Sequence, residues 1–139
     1  MFRTLACVNI TGMIRLVTGL ALATALAADA ADINFTRDIR PILSDKCFAC
    51  HGPDRAKQKA GLRLDLREDA VRKHDKATPI VPSNSAASEV VKRIFTSDAD
   101  DMMPPPEKKN PLSPREKELL KAWIEAGANY ELHWAFRRI

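Results

Sequence analysis

The stretch "DKCFACHGPD", residues 45–54, decides how this chain is read. Cys47 and Cys50 stand two residues apart, and His51 follows directly. Thiols in that pattern serve a metal, a disulfide or the vinyl groups of a haem. The choice depends on the compartment the chain reaches and on what else in the sequence is able to reach the same site.

The compartment is legible in the first thirty residues. An apolar, small-residue run, "LVTGLALATALAA", covers Leu16 to Ala28, with Arg3 and Arg15 before it and Asp29 after it. A bilayer core of about 30 Å takes roughly 20 apolar residues to cross, so the run is too short to span one. It has the form of a signal peptide over residues 1–27, with cleavage expected after Ala27 and a mature domain over 28–139. Met13-Ile14-Arg15 offers an alternative start with a compact basic region of its own. Cys7 lies upstream of the apolar run and is lost on processing, leaving Cys47 and Cys50 as the cysteines of the mature chain. The expected product is exported, periplasmic or otherwise extracytoplasmic, and not membrane-spanning after cleavage.

Charge excludes one class of partner. Taking Arg3 and Arg15 from the 22 basic residues leaves 20 against 18 acidic ones, a net of about +2. Two haem propionates would bring that close to zero, so the basic isoelectric point is no argument for nucleic acid.

Periodicity marks three helices. "NFTRDIRPILSDKCFACH" spaces Phe35, Ile39, Ile42 and Leu43 helically, with Asn34 or Thr36 as N-cap, Asp38 in the first turn and Pro41 near the start. This helix is expected to deliver the cysteines at its C-terminal end. "SEVVKRIF" puts Val90, Val91, Ile94 and Phe95 on roughly one face after a Ser88 cap. The last helix is the best marked. Ser113-Pro114-Arg115-Glu116 is a capping box with proline at the first helical position, Leu119, Leu120, Trp123 and Ile124 form an apolar stripe, and Gly127 is the stop. It should run from about Pro114 to Ala126.

Between these helices, Leu62, Leu64 and Leu66 alternate with Arg63 and Asp65, the pattern of a short extended segment, and Ile80-Val81-Pro82 is a second apolar island. "TSDADDMMPPPEKKNPLS" is a loop by its proline and charge. No repeat and no strand-helix-strand pattern is present. The expected class is all-α, a small domain of three to four short helices with long loops.

C-x-x-C-H is the attachment signature of c-type haem. Each thiol adds across one vinyl group, the two-residue spacing matches the separation of the vinyls, and the histidine is held beneath the iron as proximal ligand. A thioredoxin-like C-x-x-C wants a βαβ context and a helix that starts at the first cysteine, whereas here a helix leads into the motif. Zinc needs four ligands, and beyond Cys47, Cys50 and His51 only His74 and His133 remain, neither at finger-like spacing. A disulfide across so short a loop stabilises little. The expected cofactor is one covalent haem c, walled by residues such as Leu43, Leu62, Leu64, Val81, Ile94, Leu120, Trp123 and Ile124.

Haem also needs a sixth ligand or an open site. Met102 and Met103 lie 51 and 52 residues beyond His51, in an acidic loop stiffened by Pro104-Pro105-Pro106. A methionine there has little hydrophobic company, so a thioether ligand is favoured over core filler. Met103, next to the prolines, is the expected distal ligand, with Met102 the alternative. His74, in "RKHDKA", reads as a solvated surface histidine, and His133, in "ELHWAF", as structural.

Taken in order, "INFTRDIRPILSDKCFACHGPD", "KAGLRLD", "DDMMPPP" and "LSPREKELLKAWIEAGANYELHWAF" resemble the planctomycete-type cytochrome c domain over about residues 33–136. The resemblance implies haem on Cys47 and Cys50, iron ligation by His51 and a distal Met103. It departs in one turn, where Val81-Pro82-Ser83 replaces the family's usual glycine-bearing turn. Domains of this kind usually open longer exported proteins, so a free-standing cytochrome and the head of a larger protein both stay open.

The expected function is electron transfer by an exported mono-haem cytochrome with unidentified redox partner proteins, and no enzyme activity of its own. The alternatives are a haem-based sensor or small-ligand binder with an open distal site, or a relay domain of a longer exported enzyme. Lys57, Lys59, Arg63 and Arg67 could form a basic rim for an acidic partner, but such a cluster is more often only a solvated face.

Overall fold

The computed structural model describes residues 33–131. The signal-peptide run, Met13, Cys7 and His133 lie outside the described residues.

Asn34 starts the first helix by accepting a hydrogen bond from Arg37 N at 2.8 Å, while Asp38 Oδ2 accepts from Asn34 N at 2.9 Å. The two side chains satisfy donors that the first turn leaves open. The chain then makes a wide π-helical turn, Phe35–Ile39, and continues as α1, Arg40–Lys46. Pro41 accounts for the widening. In a regular helix its ring would clash with the carbonyl four residues back and its missing N–H would break the ladder, and a wider turn just before it absorbs both.

The backbone breaks at Cys47 (φ −121°), and a separate helix α2, Phe48–His51, follows. The expectation that one helix carries both cysteines is therefore corrected: Cys47 sits at the junction, and Cys50 and His51 belong to the next turn. Gly52 ends that turn. A Cβ there would lie 2.4 Å from the carbonyl oxygen of Phe48, so the close approach admits only glycine.

Three further helices complete the fold: α3, Arg67–Ala70; α4, Glu89–Phe95; and α5, Pro114–Glu125. The described residues thus hold five α-helices and no strand, rather than the expected three to four helices. The all-α class stands. A 3₁₀ turn, Pro106–Lys108, sits inside the proline-rich loop. The capping box of α5 is complete, with both Ser113 and Glu116 engaged, and Gly127 follows at φ +103°, a conformation suited to glycine.

Two local readings change. The 62–66 segment is bent rather than extended, with Leu64 buried, Leu62 half-buried and Leu66 exposed. Ser88 does not cap α4 with its side chain. It is fully buried, and its hydroxyl serves the preceding turn instead, accepting from Val81 N and donating to Asn84 O, both at 2.8 Å. A buried hydroxyl goes where it is best satisfied, and here that fastens the 81–84 turn to the start of α4.

α5 packs against both the first helical turn and α4. Ile39, Leu43, Ile80, Leu120 and Ile124 are almost wholly enclosed between these elements. Each such side chain contributes about 1.5–3 kcal/mol relative to exposure. At one end of the core Phe35, Trp123 and Tyr130 form a ring cluster, with centroids 4.6 to 5.7 Å apart. The polar handles are satisfied: Trp123 Nε1 donates to Asn129 O at 3.1 Å and Tyr130 Oη to Leu64 O at 3.0 Å. The cluster joins the π-helical turn, α5 and the chain just after it, and the Tyr130 hydroxyl ties it to Leu64, downstream of the motif.

Candidate functional site

Cys47, Cys50 and His51 share one turn. The amides of Cys50 and His51 both donate to Cys47 O, at 3.1 and 2.8 Å, so the two cysteines, with two residues between them, bracket a single turn. Downstream chain then returns across the motif, with Lys59 N donating to Cys50 O and Leu64 N to His51 O, each at 2.8 Å. Both thiols are free.

The thiol of Cys47 lies against the hydrophobic core, and burial pushes its pKa up to about 12, against a weaker opposing pull from Lys46. A disulfide exchanger works through an activated, low-pKa thiolate, and this environment pushes the thiol the other way. Among the described residues no group of three or more His, Cys, Asp or Glu side chains is placed to hold a metal ion.

His51 is half-buried, and its Nδ1 is enclosed with no hydrogen-bond partner. Burial lowers its pKa below the ordinary histidine value, with the backbone of Lys59 and Leu62 pulling more weakly the other way. That direction favours the neutral ring, the form that ligates a metal. An enclosed polar atom without a partner costs about 1–3 kcal/mol. Two free thiols in one turn, followed directly by an imidazole, are the groups that a c-type haem requires, the thiols for its two vinyl groups and the imidazole for its iron, and the residues present fit it.

The methionines arrive on a different kind of structure. Thr96 to Pro105 has no helix or strand, and Met102 and Met103 are both half-buried within it. Met102 N donates to Asp98 O at 2.9 Å and Met103 N to Arg93 O at 3.0 Å, so the second methionine is tied to α4. Beyond the prolines, Asn110 Oδ1 accepts from Lys46 Nζ, and Asn110 Nδ2 donates to Asp45 O at 3.4 Å. The loop is thus fastened at one end to α4 and at the other to the residues just before Cys47.

Of the expected wall, Leu43, Leu64, Ile94, Leu120, Trp123 and Ile124 are buried, and Leu62 and Val81 are half-buried. A cleft of about 540 Å³ opens beside the motif, lined by Phe35, Phe48, Pro53, Leu66 and Tyr130 with Arg40, Arg67 and Glu68 among its charged rim. None of Cys47, Cys50, His51, Met102 or Met103 lines it.

Two surface expectations are corrected. His74 is not freely solvated: its Nε2 lies 3.2 Å from Asp69 O and 3.8 Å from the Asp69 carboxylate, with the side chain only 21 % exposed. In the proposed basic rim, Arg63 is engaged by both oxygens of Asp65 at 2.7 and 2.5 Å, and Lys57 lies 3.4 Å from Asp54. Much of that positive charge is already compensated within the fold. Gly52, Asn110, Arg93 and Tyr130 support the site without having been singled out in the sequence. Of these only Gly52 carries a local signal, its place directly after the motif.

Comparison with known proteins bears on the same segment. Residues 47–107 match the family model described as Planctomycete cytochrome C, a span that opens on the first motif cysteine and closes just after the triple proline. No curated protein and no solved structure matches the chain. Among the described residues no helix is long and apolar enough to cross a membrane. A cytochrome c domain implies a c-type haem and haem-based electron transfer in general. The free thiol pair, the imidazole beside it and the family match meet in the same segment: residues 47–107 match a planctomycete-type cytochrome c domain.

Proposed function

We propose that the chain matures as an exported mono-haem cytochrome that carries electrons between partner proteins and has no substrate chemistry of its own. The observation that carries this reading is the pairing of two free thiols in one turn with a His51 ring whose Nδ1 is enclosed and has no hydrogen-bond partner. Haem bound there supplies a one-electron iron couple.

The chain's own residues do the rest. Cys47 and Cys50 fix the group covalently, and α2 holds His51 at a set place relative to both. The half-buried Leu62 and Val81 join the buried wall in excluding water, which limits the reorganisation that accompanies a change of charge. Met103 serves as distal ligand in this reading. Its amide bond to Arg93 O and the stiffness of the following prolines reduce the entropy lost when its sulfur is held. The apolar run at residues 16–28 supports export, and with it maturation on the side of the membrane where haem attachment occurs.

The test is spectroscopic. In haem-loaded protein, the reduced pyridine complex should show the band position of a haem whose vinyls are both saturated, and Cys47→Ser or Cys50→Ser should shift it toward that of an unsaturated haem. The weak red band of methionine–ferric-haem ligation should be present in the wild type, lost in Met103→Ala and kept in Met102→Ala. Absence of that band in well-folded wild type would instead favour an open distal site, and with it a sensor or ligand binder.

A further inference from the structure

We propose that Arg93 is the positioning residue for the methionine-bearing loop, and that it does this with both its backbone and its side chain. The inference rests on the reading of Met103 as distal ligand.

Between Thr96 and Met103 the loop bonds mostly to itself: Asp98 N to Thr96 Oγ1, Asp100 N to Asp98 Oδ1 and Met102 N to Asp98 O. These are local turns, which shape the loop without fixing it to anything. Its fastening to α4 beyond the helix cap runs through one residue. Arg93 O accepts from Met103 N at 3.0 Å, and Arg93 Nη1 reaches both the carbonyl and the carboxylate of Asp101 at 3.3 Å. Glu89 Oε1, one turn back on α4, accepts from Arg93 Nε at 2.9 Å and holds the guanidinium in place. The geometry therefore brackets Met103: its own amide is tied to the helix, and the residue two before it is tied to the side chain of the same arginine.

This matters because a thioether is a weak iron ligand. It competes by being held near the metal at high effective concentration, and a looser loop lowers that concentration without altering the sulfur. Arg93 touches neither sulfur nor cofactor in this scheme, so its effect passes entirely through the loop.

The experiment uses haem-loaded ferric protein and exogenous imidazole as the competing ligand, followed by loss of the red methionine band. Arg93→Gln removes the fork while leaving the helix residue count and the backbone carbonyl intact. It should bind imidazole about three- to tenfold more tightly than wild type, the range expected when a few partly exposed ionic contacts are lost. Arg93→Lys should recover part of the difference. Amide hydrogen exchange on the same samples should quicken at residues 98–103 and stay unchanged at Cys50, His51 and Leu120. The proposal is overturned if Arg93→Gln keeps wild-type imidazole affinity and wild-type exchange in the loop, or if exchange quickens equally across the domain, which marks a general loss of stability. Failure of the ligand assignment itself looks different: wild type and Met103→Ala would then bind imidazole alike, with no red band in either.

Discussion

The two sides of the site are held by different physics. The thiol and imidazole side grows out of α1 and α2, whose neighbours Ile39 and Leu43 are sealed in the core against α5 and whose flank is locked by the rings of Phe35, Trp123 and Tyr130. The methionine side is a proline-rich, acidic loop without regular structure, tied by Arg93 at one end and by Asn110 at the other. Packing is cooperative and hard to undo piecemeal, whereas a few partly exposed polar ties can be loosened one at a time. The difference teaches that attachment and proximal ligation should follow global stability, and distal ligation should respond to local change.

The largest test damages the packed side. Trp123→Ala removes the most voluminous ring of the cluster and should cost about 3–5 kcal/mol. Urea unfolding followed by far-UV circular dichroism should show that loss, with attachment yield falling alongside it. A cost under 1 kcal/mol would mean the ring cluster does not brace the motif.

A smaller effect is expected at Gly52, where a methyl group would sit 2.4 Å from Phe48 O and 2.8 Å from Phe48 Cβ. Gly52→Ala should cost about 1–3 kcal/mol by forcing the α2 turn open. Haem-loading yield should fall by more than the stability change alone explains, because the distortion lies next to His51. Hydrogen exchange in the methionine loop should not change, and that contrast sharpens the separation of the two sides.

The smallest effect concerns acid. Glu116 accepts from Ser113 N in the capping box, and that bond holds its carboxyl below the usual glutamate range, with burial acting weakly in the opposite direction. A depressed folded pKa gives stability that is present above the unfolded value of about 4.3 and is lost as pH falls through the folded value. The melting temperature of the wild type should therefore drop more steeply than that of Glu116→Gln below about pH 4.5. Parallel curves would show that the carboxylate bond contributes nothing measurable.

Legibility from sequence followed the same division. The helix with its own caps and stripe, α5, appears within one residue of its expected end, because Ser113, Glu116 and Gly127 are local signals. The thiol pair and His51 were legible for the same reason: their chemistry is written in five consecutive residues. α3 was not, since four residues such as Arg67–Ala70 have no helical stability of their own and form where Ile80 N bonds back to Ala70 O. The break at Cys47 was missed because periodicity runs on through it. His74 looked solvated in a charged stretch until folding brought Asp69 to it. The supports of the methionine loop, Arg93 and Asn110, act across the fold on residues 8 and 65 positions away, and no local pattern announces such a tie.

The central claim is that Cys47 and Cys50 carry one haem through carbon–sulfur bonds. Intact mass of the exported, mature protein in denaturing solvent tests it most directly, because only covalent linkage survives those conditions. The expected mass is that of the processed polypeptide plus one haem, with Cys47→Ser/Cys50→Ser giving the polypeptide alone. A wild-type mass equal to the bare polypeptide would contradict the account.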